Sequence, residues 1–397
     1  MTSNHIGTRI ETAAERIEPE LVAIRRDLHA HPELAFEEVR TSRIVAERLA
    51  AIGVEHRTGV GRTGVLGTID TGRPGPTLLL RADMDALPIH EQTGLDYAST
   101  SPGKMHACGH DLHTATLLGV AEVLAGLKPL LSGRIQLMFQ PAEEVSDSGA
   151  AAMMKDGALD GVDMALGFHN YPNEPVGTFS FVPGVAGGSS DEFMIKVAGR
   201  SGHAARPHLS SDPIVAAATL VLQLQTIVSR EMDPMRPIVL TIGVIEGGLA
   251  PNIIPDSVRL VGTVRTHHED DRRAMEAAIT RHCAGVSASM RVECRFEMDR
   301  GTPPLVSDAG VMDKTMKAIR EHYGDDVVLQ SQPSLGAEDF ALIGERVPAF
   351  QLGVGSGVPG RKDELHNSDY QPDERSIRNG VVALSLAAVE LLTAPVA

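Results

Sequence analysis

The sequence predicts an α/β protein: a mostly parallel-sheet catalytic domain interrupted by an inserted α+β domain of ferredoxin-like order. Three observations carry this. Short apolar runs bounded by Gly, Pro or Asp alternate with stretches of helical period through the first half of the chain. That is the pattern of a parallel sheet covered by helices. The middle of the chain changes rhythm to strand, helix, strand, strand, helix, strand, and the α/β alternation resumes after it.

The elements follow in order. Ile10, Ile17, Leu21, Ile24 and Leu28 recur at spacings of seven, four, three and four, which is one helical face. Pro19 lies inside it and predicts either a kink or a second helix starting near Glu18. A helix over 37–52 stops at Gly53, a C-terminal capping residue. Apolar runs at 64–69, 77–82, 134–140 and 163–168 predict mostly buried strands, with helices at 113–127 and 148–156 between them. The inserted domain has strands at 192–197, 238–245, 257–265 and 290–297 and helices at 213–229 and 270–285. Turn-rich segments at 183–190 and 299–304 suit paired hinges. A helix at 310–323, a strand at 349–354 and a helix at 377–392 complete the first domain. The expected boundaries are 1–186 and 301–397 for the catalytic domain and 187–300 for the insertion.

Composition narrows the function. A length of 397 residues fits two domains. Lys and Arg number 36 against 52 Asp and Glu, a net charge of −16, which argues against a nucleic-acid partner. Aromatics are only 3% and Trp is absent, which weakens sugar-binding and base-stacking functions. No run of 18 apolar residues occurs, and Met1–His5 open no basic-then-apolar leader, so neither membrane nor secretion is expected. Three cysteines, Cys108, Cys283 and Cys294, make no disulfide framework and fit a reducing, cytoplasmic compartment.

The chemistry-bearing residues lie just past the expected strands. Asp83 and Asp85 follow one, Glu143 and Glu144 a second, His169 and Asn170 a third, and a Gly-rich loop leads from a fourth to His366. Cys108, His110 and His113 precede a helix. Ligands of open α/β sheets bind beyond the carboxyl ends of strands. Alone, a Glu-Glu pair is usually solvated surface, a loop histidine is usually hydrogen-bonded, and Cys-x-His is often a buried thiol beside an unrelated imidazole. Five segments delivering Asp, Cys, His and Glu to one crevice instead indicate a divalent transition metal site.

The strings Arg81-Ala82-Asp83-Met84-Asp85-Ala86-Leu87-Pro88, Met105-His106-Ala107-Cys108-Gly109-His110-Asp111, Phe139-Gln140-Pro141-Ala142-Glu143-Glu144 and Gly167-Phe168-His169-Asn170 resemble one known group. It is the amidohydrolase branch of the aminoacylase and carboxypeptidase metallopeptidases, which includes hippurate hydrolases, N-acyl-L-amino acid amidohydrolases and auxin-conjugate hydrolases. Ser201-Gly202-His203, Gly247-Gly248-Leu249-Ala250-Pro251-Asn252, Gly262-Thr263-Val264-Arg265, Gly336-Ala337-Glu338-Asp339-Phe340 and Leu365-His366-Asn367 extend the resemblance over almost the whole chain.

The resemblance implies two divalent ions held by Cys108, His110, Glu144, His169 and His366. Manganese is the metal often associated with that branch, zinc suits thiolate and imidazole, and cobalt or nickel could substitute. The Cys108 thiolate can ligate one ion or bridge two. By the same resemblance Glu143 is the general base and His203 an oxyanion stabiliser. Asp85 is the carboxylate behind a metal-bound imidazole, and Asn252 and Arg265 hold the substrate carboxylate. By sequence logic alone Glu143 and Glu144 could exchange roles. His208, Glu338 and Asp339 are supporting motif residues. The wider family's peptidases carry His-x-Asp where this chain has Asp83-x-Asp85, and Asp where it has Cys108, which favours the amidohydrolase branch. The expected reaction is cleavage of a small N-acyl amino acid, hippurate-like or N-acetyl-amino-acid-like, to a carboxylic acid and a free amino acid. The alternatives are a dipeptidase, an N-acetyl-diaminopimelate deacetylase, a cysteine-nucleophile hydrolase and a non-catalytic metal-binding relative. A homodimer or higher homo-oligomer through the insertion is expected.

Overall fold

A computed structural model describes residues 3–393, with side chains from His5 to Thr393; Met1 and Thr2, on which the expected lack of a leader partly rests, lie outside them. The chain divides into two units: one runs to Gly184, includes Val306–Gln332 and resumes at Asp339, and the other is Val185–Leu305 with Pro333–Glu338.

The larger unit is built on an eight-stranded sheet, in the order Glu55–Val60, Gly64–Asp70, Arg134–Gln140, Thr77–Asp83, Met164–Pro175, Ala349–Gly357, Phe179–Phe181, Val328–Gln330. The four strands from Arg134–Gln140 to Ala349–Gly357 are mutually parallel. The Glu55, Gly64 and Phe179 strands each join antiparallel neighbours. The sheet is therefore mixed: the expected parallel strands form its centre, and antiparallel strands join them on either side. The reason is local at one end. Gly61 and Arg62 adopt φ of 62° and 75° and reverse the chain between the first two strands, and so tight a link can only pair strands antiparallel.

The Glu55–Val60 strand gave no sequence signal because it lies on the sheet edge, with five of its six residues at least partly exposed and no apolar alternation to detect. Helices His110–Leu127 and Arg375–Thr393 pack with Ser3–Ala30 in the main core, through Leu21, Leu117, Leu124, Val381 and Leu384. Helix His110–Leu127 is buried nearly all round, and from Leu117 onward it is correspondingly apolar on nearly every face. Ser3–Ala30 runs unbroken through Pro19. Pro19 and Glu15 lie on its exposed face, where water can satisfy the carbonyl that the proline leaves without a donor.

The smaller unit has a four-stranded antiparallel sheet in the order Ile238–Gly247, Ser257–Thr266, Asp191–Ala198, Glu293–Arg300. Helices Pro213–Thr226 and Glu269–Met290 pack on it through Phe193, Ile195, Leu220, Leu224, Leu260 and Ile279. Asp212 caps the first helix, accepting from Ile214 and Val215 backbone N–H. Segment Pro333–Glu338 is tied in by Ser334 N–H to Ala186 O at 3.0 Å and Gly188 N–H to Gly336 O at 2.9 Å.

Among the described residues, Pro213–Glu231 and Arg375–Thr393 are long and apolar enough to cross a membrane by length and composition alone. The second is mostly buried in the core just described.

Candidate metal centre

Four segments of the larger unit deliver the candidate ligands. Gly109, with φ of 90°, turns the chain into helix His110–Leu127, so Cys108 and His110 flank the turn. Glu143 and Glu144 follow strand Arg134–Gln140 after Ala142, itself at φ 52°. His169 and Asn170 lie within strand Met164–Pro175, not beyond its end as expected from an apolar run over 163–168. The strand continues because its partner Ala349–Gly357 keeps pairing, Gly353 with His169 and Val354 with Asn170. His366 sits in a loop at φ 64°.

These side chains converge. Ligand atoms of Cys108, His110 and His169 lie within 4.8 Å of one another, as do those of Cys108, Glu144 and His366, and those of His110, Glu143 and Glu144. Cys108 Sγ is 3.5 Å from His169 Nε2. His366 Nε2 is 3.2 Å from Glu144 Oε1.

Hydrogen bonds settle which ring nitrogen faces the cluster. His169 Nδ1 donates to Asn170 O at 2.8 Å, leaving Nε2 toward Cys108. His110 Nδ1 faces Asp85 Oδ1 at 3.2 Å, and its Nε2 is buried with no hydrogen-bond partner. Asp85 Oδ2 also accepts the Glu144 backbone N–H at 3.0 Å, so one buried carboxylate orients two candidate ligands. A buried Nε2 without a partner, a thiol, imidazoles and a carboxylate within reach make a donor set that fits divalent transition metal ions.

Burial and mutual proximity perturb the titration of the whole cluster. Burial pushes the Cys108 thiol well up, against the pull of His110. Burial and the neighbouring His113 push His169 down to about 3, so it stays a neutral donor. Burial would lower His110, but Asp83, Cys108 and Asp85 together raise it well above its usual value. For His366 the hydrogen bond to Glu144 outweighs burial and raises it. Burial alone would raise Asp83; His110, His113 and Arg81 overcome it and hold the carboxylate well below the usual range.

Asp83 and His113, chemistry-bearing residues to which the sequence reading gave no role, form the layer behind the site. Asp83 Oδ1 accepts from His113 Nδ1 at 2.6 Å and Asp83 Oδ2 from Arg81 Nη1 at 2.6 Å. Arg81 also reaches Gln140 Oε1 at 2.8 Å and Asp339 Oδ1 at 3.0 Å, and Asp339 accepts from Ser148, the cap of helix Gly149–Lys155. The sequence signal for His113 was its i+3 spacing from His110 on one helix face; their rings stack with centroids 5.5 Å apart.

The remaining expected residues lie in the smaller unit. Exposed His203 accepts the Ala205 N–H at Nδ1 and pairs with Ile253 in a two-stranded ladder beside Asn252, whose carbonyl accepts from Ala204. Arg265 donates to Leu335 O at 3.3 Å. His208 is exposed on a short turn, and Glu338 ends the Pro333–Glu338 segment.

Comparison with known proteins finds relatives along almost the whole chain. The chain is 41% identical over 377 residues to N-acetyl-L-cysteine deacetylase of Bacillus subtilis, covering 95% of this chain and 89% of that one. It is 37% identical over 376 residues to IAA-amino acid hydrolase ILR1-like 2 of Arabidopsis thaliana, covering 94% and 85%. The crystal structure of the Bacillus subtilis YXEP protein, described as a dinuclear metal-binding peptidase of the M20 family, superposes with a TM-score of 0.84 at 33% identity, covering 95% of this chain and 99% of that one. With the model of peptidase family M20/M25/M40 matching residues 79–390, the chain belongs to that family and is a hydrolase of amide bonds.

Proposed function

We propose that the protein is a dinuclear metal-dependent amidohydrolase of small N-acyl amino acids, of the N-acetyl-amino-acid or hippurate type. The observation that carries this is the convergence of Cys108, His110, Glu144, His169 and His366 with a second carboxylate, Glu143, beside them. A site for metal storage has no use for that extra carboxylate.

Cys108, His110 and His169 form one donor group and Cys108, Glu144 and His366 another, and these residues would hold the two proposed ions, manganese or zinc. Such ions, when bound, supply Lewis acidity that activates water and polarises the scissile carbonyl. Glu143 takes the proton of the attacking water and passes it to the leaving amine nitrogen. Asp85 keeps His110 in the tautomer whose Nε2 is free to ligate. His203 is the proposed donor to the oxyanion, a contribution typically worth about 10²–10³ in turnover. Asn252 and Arg265 are the proposed partners of the substrate carboxylate, the guanidinium by its bidentate fork.

We also propose a cytoplasmic homodimer. Three free thiols suit a reducing compartment. In the smaller unit, helix Pro213–Thr226 exposes Ile214, Val215 and Leu222, and the edge strand Ile238–Gly247 exposes Val244 and Ile245, the kind of surface an isologous interface covers.

The test is a rate panel of acetylated and benzoylated amino acids against dipeptides, on protein with its metals quantified. Glu143→Ala is expected to retain two ions per chain and lose about 10²–10⁴ in kcat. Full activity in that variant refutes the base assignment. Activity that survives chelation but is lost to thiol alkylation would favour a cysteine nucleophile instead.

A further inference from the structure

We propose that Asn170 and Tyr370 form a clamp on the Cys108–Gly109 backbone and that Asn170 is a positioning residue for the Cys108 thiolate. The inference rests on the metal-site reading above and adds to it a residue that is itself no ligand.

Asn170 is completely buried and uses every hydrogen-bonding atom it has. Its Nδ2 donates to Cys108 O at 2.8 Å and stands 3.0 Å from His113 Nε2. Its backbone N–H donates to the same His113 Nε2 at 3.0 Å. Its Oδ1 accepts from Ser356 Oγ at 3.0 Å and from the Tyr370 hydroxyl. Tyr370 is buried as well, and burial keeps its phenol protonated and so a donor.

The fit around Gly109 is what makes this a clamp. A Cβ on Gly109 would lie 2.4 Å from Asn170 Nδ2 and 2.8 Å from the Tyr370 hydroxyl. No residue with a side chain fits there, and φ of 90° disfavours one in any case. The Cys108–Gly109 peptide thus lies directly against the two side chains. The loop bearing His366 grips the same backbone one residue earlier, with His366 N–H donating to Ala107 O at 2.8 Å.

The physical need is clear. The Cys108–Gly109 segment is outside regular structure, so no ladder of backbone bonds fixes the direction of the thiol. The Asn170 amide supplies that constraint through the Cys108 carbonyl. It also fixes His113, whose Nε2 can accept only if the ring's proton sits on Nδ1, toward Asp83. His113 in turn packs edge-on to His169 at 4.7 Å between centroids. Asn is required over the isosteric Asp because a carboxylate cannot donate to the Cys108 carbonyl.

The experiment uses the full-length protein loaded with cobalt(II). Thiolate-to-cobalt absorption in the wild type, and its loss in Cys108→Ser, tests the metal-site reading alone; absence of the band from the wild type would sink that reading, and the clamp with it. Given the band, Asn170→Asp is expected to shift or weaken it and to lower cobalt affinity by about tenfold or more, with an unchanged circular dichroism spectrum. Tyr370→Phe, which deletes one hydroxyl and little volume, is expected to do the same several-fold more weakly. If Asn170→Asp does not fold, Tyr370→Phe decides. A wild-type band and wild-type affinity in the folded variants overturn the proposal.

Discussion

Asp85 shows how much one side chain can organise. Its two oxygens meet the His110 ring at 3.2 Å and the Glu144 backbone N–H at 3.0 Å, so it holds two segments of the metal centre in register. Removing its charge should loosen both. Asp85→Asn is expected to cost about 10–100-fold in metal affinity, measured by competition with a chromophoric chelator; an unchanged affinity would refute the role. The sequence made the ligand-type residues legible because thiols, imidazoles and carboxylates past strand ends have few other reasons to cluster. It left Asp83, Asn170 and Tyr370 unassigned. A neutral amide and a protonated phenol stand outside the thiol, imidazole and carboxylate set that signals a transition-metal site, and their importance lies in what they touch, 62 residues away in sequence for Asn170 and Cys108.

At the scale of elements, the segment between Ala86 and Met105 is held by few backbone bonds and depends on Glu91. That carboxylate accepts from Ser99 N–H at 2.6 Å and faces His29 Nε2 at 3.2 Å. On the other side of the ring, His29 Nδ1 is 2.8 Å from Asp111 Oδ2, which also pairs with Arg25 at 2.8 Å. An imidazole between two carboxylates satisfies both only when doubly protonated. Burial and Arg25 push the His29 pKa down; Asp111 and Glu91 push it up and prevail. A raised folded value means stabilisation that is complete below the unfolded pKa of about 6.5 and is lost as pH rises through the folded pKa. Glu91→Gln should therefore destabilise the protein more at pH 6 than at pH 9 in urea titrations. An equal loss at both would refute the linkage. Long periodic helices were legible from their apolar spacing, whereas the Glu55–Val60 edge strand was not, because nearly all of it is exposed and neither face carries an apolar repeat.

At the scale of the molecule, the proposed dimer makes a direct prediction. Leu222 is 72% exposed on the apolar face of helix Pro213–Thr226. Leu222→Arg is expected to shift sedimentation from twice the chain mass toward one chain mass, with the far-ultraviolet spectrum unchanged. A wild-type protein that sediments as a monomer removes the proposal altogether. The net charge of −16 belongs to this scale too: it argues against a nucleic-acid partner, and only a few of the 52 carboxylates, among them Asp83, Asp85, Glu143 and Glu144, line the candidate site.

The sequence by itself determined the α/β class, the change of rhythm in the middle of the chain and the kinds of donor available for a metal. These are local properties, written in apolar periodicity and side-chain chemistry. Only the tertiary structure decided that the sheet is mixed, that His169 lies within a strand, and that Asp85 and Asn170 tie distant segments together. Register, handedness of pairing and buried hydrogen bonds depend on residues far apart in the chain. No local pattern encodes them; they follow from packing the whole unit at once.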